Sequence, residues 1–93
     1  MEVESNSTAL KFKEQGNAAY KSHDYNKAIN CYNKAIKENP SDPSFYSNRA
    51  LCYFNMGKLH EALEDCQRSL SIQPNSGKVL RKKCQIFLQL LRF

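Results

Sequence analysis

Lys13 and Asn17 stand four residues apart, and so do Lys78 and Lys82. On a helix that spacing puts both members of a pair on one face. Two like charges at i, i+4 are mildly unfavourable for the helix itself. A stacked pair of cations is therefore more easily explained by an anion held between them. An Asn amide offers N–H donors to such an anion without adding charge. Any one Lys or Asn on an exposed helix is ordinarily a solvated residue, so the weight of this reading lies in the combination.

The charge distribution points the same way. Residues 1–76 carry nine basic and nine acidic side chains. From Gly77 onward come Lys78, Arg81, Lys82, Lys83 and Arg92, with no acid. The whole net charge of +5 sits on the last segment, as a local electropositive surface for an anionic partner. Catalysis has no comparable support. There is no His–acid–nucleophile set, no phosphate loop and no metal-ligand spacing, so neither enzyme activity nor a cofactor or metal is expected. His23 and His60 read as surface residues. Cys31, Cys52, Cys66 and Cys84 form no C-x-x-C pair and fall in helix-patterned stretches. They read as reduced thiols that behave as small apolar residues in a cytoplasmic protein. The start, MEVESNS, carries acids and no apolar run, unlike a secretory signal. No stretch approaches the roughly 18 apolar residues of a membrane span.

The elements that must position these side chains follow from a repeat. Gly16, Ala50 and Cys84 are 34 residues apart in each step. Ala28 and Ala62, Ala35 and Ser69, Pro40 and Pro74, and Tyr25 and Leu59 keep the same register, with Phe12, Tyr46 and Leu80 filling another line of it. The chain divides into units 9–42 and 43–76, a partial third at 77–93, and a flexible lead at 1–7. Each full unit reads as two amphipathic helices. Asp24 caps the second helix, Asp42-Pro43 starts the third, Gly57 suits its end, and Ser76 opens the last. The spacing predicts helices near 8–22, 25–38, 43–56, 59–72 and 77–91, with no strand. Gly16, Ala28, Ala50 and Ala62 sit where paired helices approach closely; Phe12, Tyr32, Tyr46 and Tyr53 fill the gaps between units.

These residues resemble tetratricopeptide (TPR) repeats along almost the full chain, in the period, the small-residue positions and the Pro at each unit end. Gln15, Arg49 and Lys83 depart from it, standing where that family usually has an apolar residue, and Ala19 replaces a usual Tyr; local packing should weaken there. The resemblance implies an all-α, right-handed solenoid of antiparallel helix pairs, here two units plus one extra helix. The first helix of each pair would line a concave groove.

A narrower resemblance is carried by Lys13-x-x-Gly16-Asn17, Tyr46-Ser47-Asn48-Arg49-Ala50 and Gly77-Lys78-x-x-x-Lys82. These look like the dicarboxylate-clamp repeats of co-chaperones. In that family the groove holds the C-terminal carboxylate and last acidic side chain of heat-shock chaperones, of the seventy- or ninety-kilodalton class, ending in Glu-Glu-Val-Asp. The resemblance assigns the clamp to Lys13, Asn17, Asn48, Lys78 and Lys82. Lys82 replaces a usual Arg, which keeps the charge but loses the bidentate fork; neighbouring Arg81 could compensate. Tyr20, Leu51 and Phe54 would supply an apolar wall. Cations at both ends with amides between them suit a doubly charged C-terminus.

Two other functions compete. A TPR scaffold could serve a different protein partner. A nucleic-acid binder would need aromatics interleaved with the basic residues, and only Val79 and Leu80 stand between them. Near the end, Phe87, Leu88 and Leu91 fall on overlapping faces, and not all can pack inward. That predicts either a piece of a longer chain or self-association through 84–93.

Overall fold

The computed structural model describes residues 2–92, with side chains from Ser7 to Arg92. Over these residues the chain forms α1 (Glu2–Lys21), α2 (Tyr25–Glu38), α3 (Pro43–Asn55), α4 (Leu59–Ile72) and α5 (Gly77–Arg92). The expected second and fourth helices match to the residue, and the third and fifth to within one. The first begins six residues early, so residues 2–7, expected as a flexible lead, continue α1. No Pro or Gly interrupts the run before Gly16.

Local chemistry explains the joints. Asp24 Oδ1 accepts from the Lys27 N–H at 3.2 Å, and Asp42 Oδ1 from the Ser44 N–H at 2.9 Å, with Pro43 opening α3. Ser76 accepts from the Val79 N–H at 3.4 Å. Helices α1 and α3 both end in a left-handed residue, His23 with φ 62° and Gly57 with φ 79°. The two positions are one repeat apart, and only the second has the residue that tolerates this conformation freely.

Helix α1 packs on α2 and α3 on α4, while α2–α3 and α4–α5 contacts join the units. Ala28, Ala35, Ala50 and Ala62 have no exposed surface, which lets backbones approach. At Gly16 even a methyl is too much: a Cβ would lie 2.6 Å from Tyr32 Cε1. Tyr32 is buried as expected. Tyr46 is not the core aromatic of α3; its hydroxyl reaches the Pro40 carbonyl at 2.9 Å near the surface. Phe45 takes the core place, fully buried with Ala9 and Ala35 and flanked by Phe12 and Ile36.

Arg49 does not weaken the packing as expected. Its Nε and Nη2 hold both carboxylate oxygens of buried Asp65, at 2.7 and 2.6 Å, and its Nη1 donates to Asn33 Oδ1 at 2.7 Å. Arg68 adds a third cationic bond to Asp65 at 3.1 Å. The fork ties α3 to α4, and the hydrogen bond to Asp65 raises the guanidinium pKa further. Gln15 is simply exposed, and Ala19 is buried beside Ala28 and Tyr32.

Candidate anion-binding groove

Helices α1, α3 and α5 present their inner faces to one side. A recess of about 390 Å³ is lined there by Lys13 and Asn17 from α1, Ser44, Ser47 and Asn48 from α3, and Lys78 and Val79 from α5. Ser69 of α4, Gln73 just after it and the capping Ser76 complete the wall. A smaller pocket of about 40 Å³ adjoins it, where Asn48, Leu51, Lys78 and Lys82 converge above Cys66. Thus four expected residues (Lys13, Asn17, Asn48, Lys78) share one recess, and Lys82 and Leu51 share the next with two of them.

The i, i+4 spacing explains this within each helix; the repeat explains it between helices. Asn48 Nδ2 donates to Asn17 Oδ1 at 3.3 Å, linking α3 to α1 across 31 residues of sequence. The same Oδ1 accepts from the Tyr32 hydroxyl at 2.5 Å. Burial, and then the neighbouring Cys52, Tyr20 and Cys31, push the Tyr32 phenol far above its ordinary pKa, so it remains a neutral donor. Lys82 rests its ammonium 4.4 Å from the centre of the Phe54 ring, a cation–π contact that parks the charge beside the smaller pocket.

Three expected residues lie elsewhere. Arg81 is exposed and lines a shallow hollow beside the groove with Lys78, Leu80, Lys82 and Cys84, and it lines neither pocket that holds the two Asn side chains. Tyr20 packs edge-on against Tyr25 at 5.6 Å, and its hydroxyl accepts from Asn55 Nδ2 at 3.0 Å. Phe54 touches the site through Lys82 instead of lining either pocket. The residues that sequence reasoning missed are the hydroxyls of Ser44, Ser47, Ser69 and Ser76. Ser44 and Ser47 lie on the α3 side that carries Asn48, one turn away or next to it, and that adjacency was the available signal.

No described helix is long and apolar enough to cross a membrane. The arrangement suits an extended anionic segment: cations at the two ends of the recess, amide donors between them, and an apolar corner at Leu51 and Val79.

Comparison with known proteins agrees with the fold. A family model described as serine/threonine-protein kinase BSK1-like, TPR repeats, matches residues 1–80. The chain is 36% identical over 85 residues to the protein STIP1 homolog of Dictyostelium discoideum, covering 91% of this chain and 15% of that protein. It is 45% identical over 71 residues to the Hsp70-Hsp90 organizing protein of Triticum aestivum, covering 76% of this chain and 12% of that protein. The chain therefore spans only a small part of these relatives. Among solved structures, the first TPR of Spaghetti (RPAP3) bound to the HSP90 peptide SRMEEVD superposes with a TM-score of 0.90 at 30% identity, covering 94% of this chain and 71% of that one. With its helix pairs, 34-residue register and concave face all in place, the chain belongs to the tetratricopeptide-repeat family.

Proposed function

We propose that this domain is a binding module, not an enzyme, and that its groove takes the acidic C-terminal peptide of a heat-shock chaperone, in the cytoplasm. The observation that carries this is the convergence of Lys13, Asn17, Asn48 and Lys78 on one recess, with Lys82 beside it. Charged donors gain most when the ligand carries two nearby anions. A main-chain carboxylate next to an acidic side chain supplies both. The structural relative that shares this fold holds a peptide ending in EEVD, which fits the same pattern. Calorimetric titration with such a peptide, as the free acid and with its C-terminus amidated, tests the proposal. Binding should be clearly tighter for the free acid. Equal affinity for the two would refute the carboxylate role.

A second reading is self-association through α5. It is favoured by one observation: Phe87, Leu88 and Leu91 are exposed on that helix, Leu91 by 82%. The two readings use different faces and respond oppositely to salt.

A further inference from the structure

The groove amide of Asn17 has a partner that the clamp pattern does not contain. Tyr32, on α2 and almost wholly buried, directs its hydroxyl at Asn17 Oδ1. A buried hydroxyl needs an acceptor for its hydrogen. An Asn amide offers one only on its oxygen, because the nitrogen end is a pure donor. The Asn48 Nδ2, 3.3 Å from the same oxygen, makes the same demand. Two donors thus fix the oxygen end, and the group this amide has left to offer a ligand is its Nδ2 end.

The repeat supplies a control for whether this is merely packing. Moving 34 residues along, Gly16, Asn17 and Tyr32 become Ala50, Leu51 and Cys66. Ala50 and Cys66 are both buried in the second unit's apolar cluster. The helix pair therefore packs without a hydroxyl or an amide at these places. In the first unit, Gly16 gives up its side chain to admit the Tyr32 ring, which brings the hydroxyl under the groove floor. The three residues act together, and what they deliver is an oriented amide.

We propose that Tyr32 is a positioning residue for the groove: its buried hydroxyl fixes the Asn17 amide by its oxygen, so that the two Nδ2 hydrogens face an anionic ligand. This rests on the reading of the groove as a carboxylate binder and deepens it. The groove selects a carboxylate over an amide partly because an amide nitrogen of the ligand would meet donors instead of an acceptor.

The test is a double-mutant cycle. The parent protein, Tyr32→Phe, Asn17→Ala and the double variant are each titrated with the free-acid and the amidated acidic peptide. Phe keeps the ring in its slot, and helical circular dichroism checks that the fold is retained. In Tyr32→Phe, affinity for the free acid should fall roughly three- to tenfold, the size of one lost hydrogen bond, with the amidated peptide unaffected. In the Asn17→Ala background, the same change should do nothing further. Equal losses in both backgrounds, or for both peptides, would mean that Tyr32 acts through packing and would overturn the inference. The side-chain amide resonances of Asn17 in the unliganded protein give a second readout. They should shift and broaden in Tyr32→Phe, and unchanged resonances would also overturn it. If the parent itself fails to prefer the free acid, the groove reading falls, while these resonances still decide whether Tyr32 sets the amide.

Discussion

Lys78 sits where the two pockets meet and lines both. Removing it as Lys78→Ala should weaken free-acid peptide binding by about 2 kcal/mol, the low end for a charge pair, because the side chain is exposed before the ligand arrives. Calorimetry on the two proteins measures this; a change within error would separate Lys78 from the carboxylate. Sequence reading reached Lys78 easily, since a basic residue opening an acid-free helix is conspicuous. Arg81 stands one step along the helix from Lys82, a turn of about 100°, and shares only the outer hollow with Lys78 and Lys82. Sequence reading could not foresee Tyr32, whose hydroxyl matters only once α2 is folded against α1. The buried thiols give a prediction of a different kind. Burial first, and then the nearby Asp65 charge, push Cys52 and Cys66 from about 9 up to about 11. Their folded-state pKa values are raised, so their contribution to stability is whole below pH 9 and is lost as pH climbs towards 11. Urea midpoints should fall over that window. The Cys52→Ala, Cys66→Ala double variant should show a shallower fall, and an identical slope would show that other groups control it.

At the scale of the helix pair, the decisive contacts are Gly16 against Tyr32 and Arg49 against Asp65. Gly16→Ala would ordinarily favour a helix, since Ala is the better former. Here the added methyl meets a buried aromatic ring at 2.6 Å. Overpacking of this sort costs about 1–3 kcal/mol, so thermal unfolding should show a net loss. A stabilised variant would mean that the ring yields freely. Asp65→Ala leaves the Arg49 guanidinium, itself mostly buried, without its fork partner. That should destabilise by about 3 kcal/mol, whereas an apolar pair at both positions should come close to neutral. Urea denaturation of the single and paired variants distinguishes these outcomes. The helices themselves were legible because the 34-residue register fixes four of them to within a residue. The start of α1 was not, because no cap residue marks it and acids at a terminus read as a lead. The Arg49–Asp65 fork was hidden for a related reason. The first unit has Gln15 and Cys31 at the same two places, so the repeat gives no sign of the ion pair that the second unit builds there.

The molecule as a whole presents two faces of unlike character. The groove is polar and partly open, and its affinity for an anion should decline as salt rises. The outer face of α5 is a continuous apolar stripe: Leu80, Phe87, Leu88 and Leu91 are exposed, while Val79 and Ile86 on the opposite side are buried against α4. All of the charges on that helix are positive. Lys83 lies near the Phe87 ring at 6.0 Å, beside the stripe. Two copies meeting through α5 would bury the leucines and the phenylalanine, each worth about 1.5–3 kcal/mol when fully covered. They would also bring two cationic helices together, at a cost that salt screens. Self-association through this face should therefore strengthen with salt, opposite to peptide binding. Sedimentation velocity at high protein concentration should show a dimer fraction that grows between low and high salt. Leu88→Lys with Leu91→Lys should remove it and leave the peptide titration unaltered, since neither residue borders the groove. A monomer at every salt concentration would show that the stripe is tolerated as open surface. A dimer that persists in the double variant would place the contact elsewhere.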